Sequence, residues 1–507
     1  MHSNTLISTS TIAAPARNRS GWSRLRLRRQ LLALLSIAAG IVTPFIGESH
    51  QCGLLRQRPT NCCAAEIERL ETPPRPEFGR GDPEAARRGY RFLTEKAYLP
   101  LDFTQEVFDE SWRAWPEPLR SQAEKATVPE RRRMAMDRYG LTTRPGDPSR
   151  PLQYVVNQAG EWTMNCFACH GGQVAGQVIP GLPNAHYALE TLTEETRTVK
   201  AQLGKSMSRM DVGMFAMPLG TTNGTTNAVM FGVALMAARD AQLNVVRTLI
   251  SPRMIHHDMD APPWWHFHKR RRLYIDGFVA KEHRSLMQFM LIRQNGPEKF
   301  REWEADFRDV YAYLDSLRPP AYPYKIDSEL ASRGERIFSD HCARCHGTYG
   351  PQGKYQEVMV SLDEIGTDPV RHRALTTAQR RGHEESWFGH FGEHKVISEP
   401  KGYVAPPLDG VWASAPYFHN GSVPTLWHVL HPSERPAIWT RSATSYDQVR
   451  VGLEHQTHEK LPDGLSSADR RRYFDTTVEG KSRSGHVFPD ELSVEEKRAV
   501  LEYLKTL

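Results

Sequence analysis

Cys342-Ala343-Arg344-Cys345-His346 and Cys166-Phe167-Ala168-Cys169-His170 carry the strongest chemical signal in this chain. Residues i, i+3 and i+4 share one face of a helical turn. Two thiols on that face can add to the two vinyl groups of a porphyrin, while the following imidazole reaches the iron from the same side. Cys-x-x-Cys-His is the attachment pattern of c-type haem. Cys166 and Cys169, and again Cys342 and Cys345, therefore fix a haem, and His170 and His346 supply the proximal ligands. A zinc site would want two more Cys or His at close spacing, and a thioredoxin-like pair has no use for a following His in both copies. The cofactor expectation is two covalently bound haem c.

The motifs sit in a repeated frame. Ala86-Arg87-Arg88-Gly89-Tyr90-Arg91-Phe92-Leu93 and Ala331-Ser332-Arg333-Gly334-Glu335-Arg336-Ile337-Phe338 share Ala, Arg, Gly and Arg in register. A Gly inside an amphipathic helix costs about 1 kcal/mol relative to Ala, so close crossing of a second helix is the expected reason for it. The partner helices are the one over 299–317, ending Tyr313-Leu314-Asp315-Ser316-Leu317, and the one ending Tyr503-Leu504-Lys505-Thr506-Leu507. The fold expectation is mainly α: two tandem cytochrome c-like haem domains with long loops, at 80–320 and 321–507. Arg318-Pro319-Pro320-Ala321-Tyr322-Pro323 marks the boundary, because proline ends the helix and extends the chain. Gly334 stands eight residues before Cys342 but Gly89 seventy-seven before Cys166, so the first domain carries a large insertion, which contains Trp112, Trp115 and Trp162.

The net charge of +6 is misleading taken as a whole. Six arginines and no acid precede Glu48, so the rest of the chain is formally neutral and nothing argues for a nucleic-acid partner. Those arginines run into the apolar stretch Leu31 to Ile46, the order of a secretory signal, short for a membrane span. Residues 1–47 are expected to be a signal peptide or N-terminal membrane anchor and 48–79 a linker containing Cys52, Cys62 and Cys63. The body is expected to be periplasmic or otherwise exported, in keeping with haem attachment outside the bacterial cytoplasm.

The sixth iron position separates a carrier from an enzyme: Met or His there gives an electron-transfer centre, an open position binds dioxygen or peroxide. Between residues 326 and 507 the only methionine is Met359, thirteen residues after His346 and too close to cross the ring. Histidine or nothing is left for the second haem. His486, in a loop before the last helix, is the leading candidate and His419 the runner-up. For the first haem, Met207, Met210, Met214 and Met217 recur at helical spacing and His256, His257, His266 and His268 follow; the methionine stripe reads as core filler. Trp264, Trp265 and Phe278 are expected to wall a distal pocket, or the tryptophans to lie between the haems, ordinary core aromatics being the alternative. Lys269-Arg270-Arg271-Arg272 reads as a solvated face.

These motifs, with the phrase from Pro406-Pro407-Leu408-Asp409-Gly410 through Ala415-Pro416-Tyr417-Phe418-His419-Asn420-Gly421-Ser422 to Thr425-Leu426, and with Leu362-Asp363-Glu364-Ile365-Gly366-Thr367-Asp368-Pro369, resemble the di-haem cytochrome c peroxidase superfamily, most of all its rubber oxygenase branch. The resemblance covers roughly residues 80–507 and is sharper in the second unit. It implies a division of labour, with one haem open or exchangeable and the other six-coordinate; in the rubber oxygenase branch the first binds oxygen and the second is bis-histidine. The peroxidase branch proper uses Met on one haem, a pattern this sequence departs from. The chain is shorter than a rubber oxygenase, so polyisoprene is not carried over as substrate. The functional expectation is an exported, di-haem, peroxidase- or oxygenase-type oxidoreductase that uses peroxide or dioxygen and exchanges electrons with a redox protein or a quinone-linked partner. The rival is a non-enzymatic electron-transfer cytochrome with both haems six-coordinate.

Overall fold

The glycine repeat marks two helix crossings. Helix α1 (Pro83–Glu95) starts at Asp82, whose carboxylate accepts from the amides of Glu84 and Ala85, with proline in its first turn. It packs against α2 (Pro297–Ser316). A Cβ on Gly89 would lie 2.1 Å from the Asp309 carbonyl oxygen, so only glycine permits this approach. Arg88 clamps the crossing with a bidentate pair to Asp309 at 2.7 and 2.9 Å. Helix α3 (Ser328–His341) starts at Asp327 in the same way and crosses α4 (Val494–Leu504), where a Cβ on Gly334 would lie 1.9 Å from the Ala499 carbonyl oxygen. Tyr90 meets Tyr313 at the first crossing, with ring centres 5.5 Å apart, and Phe338 meets Tyr503 at the second, 5.3 Å apart.

A computed structural model describes residues 67–73, 75–76, 81–216, 218–246, 255–389 and 395–507. The apolar stretch 31–46, Cys52, Cys62, Cys63 and Met217 lie outside them. Residues 64–507 form one compact unit. Helix takes 42% of the described residues, and the strands form six small sheets among them, so the expected long loops are in part short strands.

The inserted stretch after α1 builds its own core. Phe103, Phe108, Trp112, Trp115, Tyr139, Tyr154 and Trp162 are buried together, and the Trp115 indole donates to the Tyr139 hydroxyl at 2.9 Å. Met210 and Met214 pack against this core and Met207 is exposed. Strands β1 (Ile67–Arg69), β2 (Val358–Ser361) and β3 (Gly402–Val404) form an antiparallel sheet with β2 in the middle. Met359 is buried in β2 against Leu70 and Val404, so it is core rather than ligand. A long hairpin, Ile438–Asp447 with Gly452–His458, completes the core around the second motif through Trp439, stacked on Phe474.

Candidate haem centres

Each Cys-x-x-Cys-His motif folds as one short helical turn, which places its two thiols and its imidazole on one side. In the second, Cys345 and His346 both donate backbone hydrogen bonds to the Cys342 carbonyl at 3.1 Å. The turn follows α3 directly, so the glycine crossing positions it. In the first, Asn165 orients the turn: its side-chain carbonyl accepts from the Phe167 amide at 2.9 Å and its amide donates to the Leu152 carbonyl at 3.0 Å. The carbonyls of Cys169 and His170 accept from Asn184 and Gly181.

Both proximal imidazoles are held alike. His346 Nδ1 lies 2.9 Å from the Pro406 carbonyl oxygen and His170 Nδ1 lies 3.1 Å from that of Pro262. A carbonyl can only accept, so Nδ1 carries the proton and each Nε2 presents a lone pair, the state a metal ligand needs. Burial pushes the His170 ring down to about 4 and lowers that of His346 as well, which keeps both neutral. The two carbonyls belong to a second repeat, Ala261-Pro262-Pro263 and Ala405-Pro406-Pro407, that sequence reasoning misses although it is visible in the chain.

The far sides of the two imidazoles differ. The His486 ring faces that of His346 with centres 6.2 Å apart and planes at 63°. Two imidazoles on opposite sides of one metal ion, each about 2 Å from it, have ring centres roughly 6 Å apart, so the pair fits a bis-histidine iron. Burial, then the nearby His346, pushes His486 down to about 3, again leaving a neutral ring. Its loop is pinned at several points. The His486 amide donates to the Ile365 carbonyl at 2.7 Å, Gly485 presses on Gly366 where a Cβ would meet backbone at 2.2 Å, and Ser482 donates to the Asp368 carboxylate at 2.9 Å. Arg435 donates to the carbonyls of Arg483 and Gly485, each at 2.7 Å. His486 itself has φ +48°, a left-handed conformation costing about 1–2 kcal/mol outside glycine, and these contacts hold it there. His419, the runner-up, is turned elsewhere: its ring lies against Tyr403, with centres 4.6 Å apart.

Trp264, Trp265 and Phe278 do not form the expected distal wall. Trp264 stacks on the His170 ring, 4.6 Å between centres and 26° between planes, so it stands on the proximal side. Trp265 is buried and its indole donates to the Asp409 carbonyl at 2.7 Å, while Phe278 stacks on Tyr274 in another cluster. His266 also meets the Asp409 carbonyl, His268 the Asp315 carbonyl, and His256 and His257 bond Asn227 and the Ile255 carbonyl. Among the described residues no imidazole pairs with His170 as His486 does with His346. Lys269 and Arg270 are not a solvated face, being paired with Asp409 and Glu357.

The tryptophan contact joins the two centres. From His170 the route passes the Pro262 carbonyl, runs through residues 262–265, crosses to the Asp409 carbonyl, runs back through 409–406 and ends on His346, using three hydrogen bonds. Gly410, at φ +61°, allows the crossing, since a Cβ there would lie 2.9 Å from the Trp265 indole nitrogen.

Residues 402–440 match the family described as RoxA-like, cytochrome c-like. That stretch contains Pro406, Asp409 and His419. An uncharacterized protein of Sinorhizobium fredii, y4iM, is 33% identical over 241 residues, covering 39% of this chain and 53% of the relative. A second from the same organism, y4iJ, is 28% identical over 257 residues, covering 38% and 41%. The chain thus spans about half the length of the curated relatives it matches. The matched stretch is cytochrome c-like, and a cytochrome c-like domain implies covalently bound haem c. Cys166, Cys169 and His170, and Cys342, Cys345, His346 and His486, are the residues that would hold it.

Proposed function

We propose that the protein is an exported di-haem c-type cytochrome with oxidoreductase activity. The centre at Cys166, Cys169 and His170 keeps an exchangeable position for peroxide or dioxygen, and the centre at Cys342, Cys345 and His346, closed by His486, relays electrons. The observation that carries this reading is the unlike surroundings of two alike imidazoles: His346 is faced by His486, whereas the ring against His170 is Trp264.

Bound haem supplies the redox-active iron. Around it, Pro262 and Pro406 hold the Nδ1 protons and fix both rings, which strengthens Nε2 as a donor. His486 excludes other ligands from the second centre. Trp265 and Asp409 join the two units by a part-buried hydrogen bond, a path for electrons through the protein. The electrons come from or go to a redox protein or a quinone-linked partner.

The test is the EPR spectrum of the oxidised, purified protein, with a haemochrome assay counting the haems. One high-spin signal beside one low-spin signal is expected, with cyanide abolishing the first. Two low-spin signals, with no cyanide binding in either oxidation state, would replace this reading by a plain electron carrier.

A further inference from the structure

Arg435 stands behind the loop that carries His486, and its guanidinium is spent on backbone. Nε donates to the His428 carbonyl at 2.9 Å, Nη1 to those of Arg483 and Gly485 at 2.7 Å each, and Nη2 to those of Val429 and His486 at 3.3 Å each. These five bonds join the ligand loop to the short helix Leu426–Leu430. Arg435 is 5% exposed. Its guanidinium carbon lies 4.8 Å from the centre of the Phe418 ring, which in turn lies 6.1 Å from that of the His486 ring. Phe418 holds φ +68°, and backbone strain of that kind clusters at functional sites.

Hydrogen bonding is satisfied here, but charge is not. Buried cations are generally paired with carboxylates, as Arg371 and Arg380 are with Asp276 and Lys200 is with Asp211. Among the described residues no carboxylate forms an ion pair with Arg435. The acid that faces it, Asp490, is exposed and bound to Lys497 at 3.6 Å, and the other charged group facing it, Arg483, adds a like charge. A guanidinium stays protonated, so a full positive charge is buried beside the second centre.

The ligand acts in the same direction. Nδ1 of His170 and of His346 each meets a proline carbonyl, a bond that makes an imidazole a stronger donor. Nδ1 of His486 is buried and has no hydrogen-bond partner among the described residues, so this ring is the weaker donor and is placed by its loop. Ferrous iron carries one positive charge less than ferric iron, so a buried cation repels it less, and a weaker donor stabilises the ferric state less. We propose that Arg435 positions His486 and, through its unpaired charge, raises the reduction potential of the second centre. The couple is ferric iron taking up one electron to give ferrous iron, with no proton moved at Arg435.

The inference rests on the second centre being the electron-relaying one. The test is a spectroelectrochemical titration of the full haem-loaded protein, following the low-spin absorption of that centre, with EPR of the oxidised protein to read its spin state. Arg435→Gln removes the charge and keeps hydrogen-bond donors; Arg435→Lys keeps the charge and loses the fork. Imidazole added to every sample fills the sixth position wherever the loop has loosened, so a midpoint is read in each variant. In Arg435→Gln the ratio of ferrous to ferric iron at a fixed potential should fall roughly tenfold or more, a shift of about 59 mV for a one-electron couple. Arg435→Lys should stay near the wild type. An unchanged midpoint in Arg435→Gln would overturn the proposal, and so would an equal fall in Arg435→Lys, which would assign the shift to geometry rather than charge. Two low-spin signals without cyanide binding in the wild type strike only the exchangeable first centre and leave this shift in place, whereas a high-spin second centre would overturn both readings.

Discussion

Replacing Gly334 by alanine tests the frame on which the second centre is built. The new Cβ would stand 1.9 Å from the Ala499 carbonyl oxygen and 2.9 Å from the Tyr503 Cβ, and backbone cannot swing aside as a side chain can. Restoring an ordinary 3.4 Å contact requires α3 and α4 to part by about 1.5 Å, an overpacking whose cost is about 1–3 kcal/mol. Separation also loosens buried Phe338, Val500, Leu501 and Leu504, each worth about 1.5–3 kcal/mol when fully buried. Alanine recovers up to about 1 kcal/mol of helix propensity. The net expectation is a loss of about 2–3 kcal/mol. Because α3 runs straight into Cys342, the same shift moves His346 relative to His486. Urea unfolding of the haem-loaded protein, followed by far-ultraviolet circular dichroism and by the low-spin absorption of the second centre, measures both effects. Gly89→Ala should cost stability similarly while sparing the His346 and His486 pair. Unchanged or raised stability in Gly334→Ala would refute the close crossing and the account of the repeat.

His486→Ala should convert the low-spin signal of the second centre to high spin and let it bind cyanide; an unchanged EPR spectrum would remove His486 as a ligand. Trp265→Phe removes the bond to Asp409, whose carbonyl keeps His266, so stability should fall by only about 1 kcal/mol. Inter-haem electron transfer, read by flash photolysis of the half-reduced carbon monoxide form, should slow at least tenfold with both haem spectra intact; an unchanged rate would mean that the route does not run through Trp265. His428 is buried beside Thr425, and burial followed by the nearby His455 pushes its ring down to about 3. Its folded-state value lies below that of the unfolded chain, so the unfolded state takes up the proton first, and stability present above about pH 6.5 is lost as pH falls. The expected slope is about 1.4 kcal/mol per pH unit between pH 6 and 4, and His428→Gln should reduce it. An identical pH profile in the variant would rule His428 out as a source of acid lability.

The features legible from the residues alone are local or repeated. The two Cys-x-x-Cys-His turns can be read directly because three ligating atoms lie within one helical turn, where covalent spacing fixes geometry whatever the rest of the fold does. Gly89 and Gly334 foretold their helix crossings because only a backbone contact explains glycine inside an amphipathic helix. Its spacing of thirteen residues from His346 was enough to set Met359 aside as a ligand, and its side chain is indeed buried in a strand of the core. What faces each imidazole, by contrast, is settled by long-range folding. His486 lies 140 residues from His346 and meets it through a loop pinned on Ile365, Gly366 and Asp368, contacts that leave no periodic mark. For the same reason Trp264 and Trp265, expected to wall a distal pocket or to lie between the haems, stand behind His170 and against Asp409. The two Ala-Pro-Pro repeats were readable, but that each offers a carbonyl to an imidazole depends on folded stretches spanning 92 and 60 positions closing on the two rings. Arg435, silent in the sequence, stands out only because folding wraps backbone carbonyls of two distant stretches around its guanidinium beside His486.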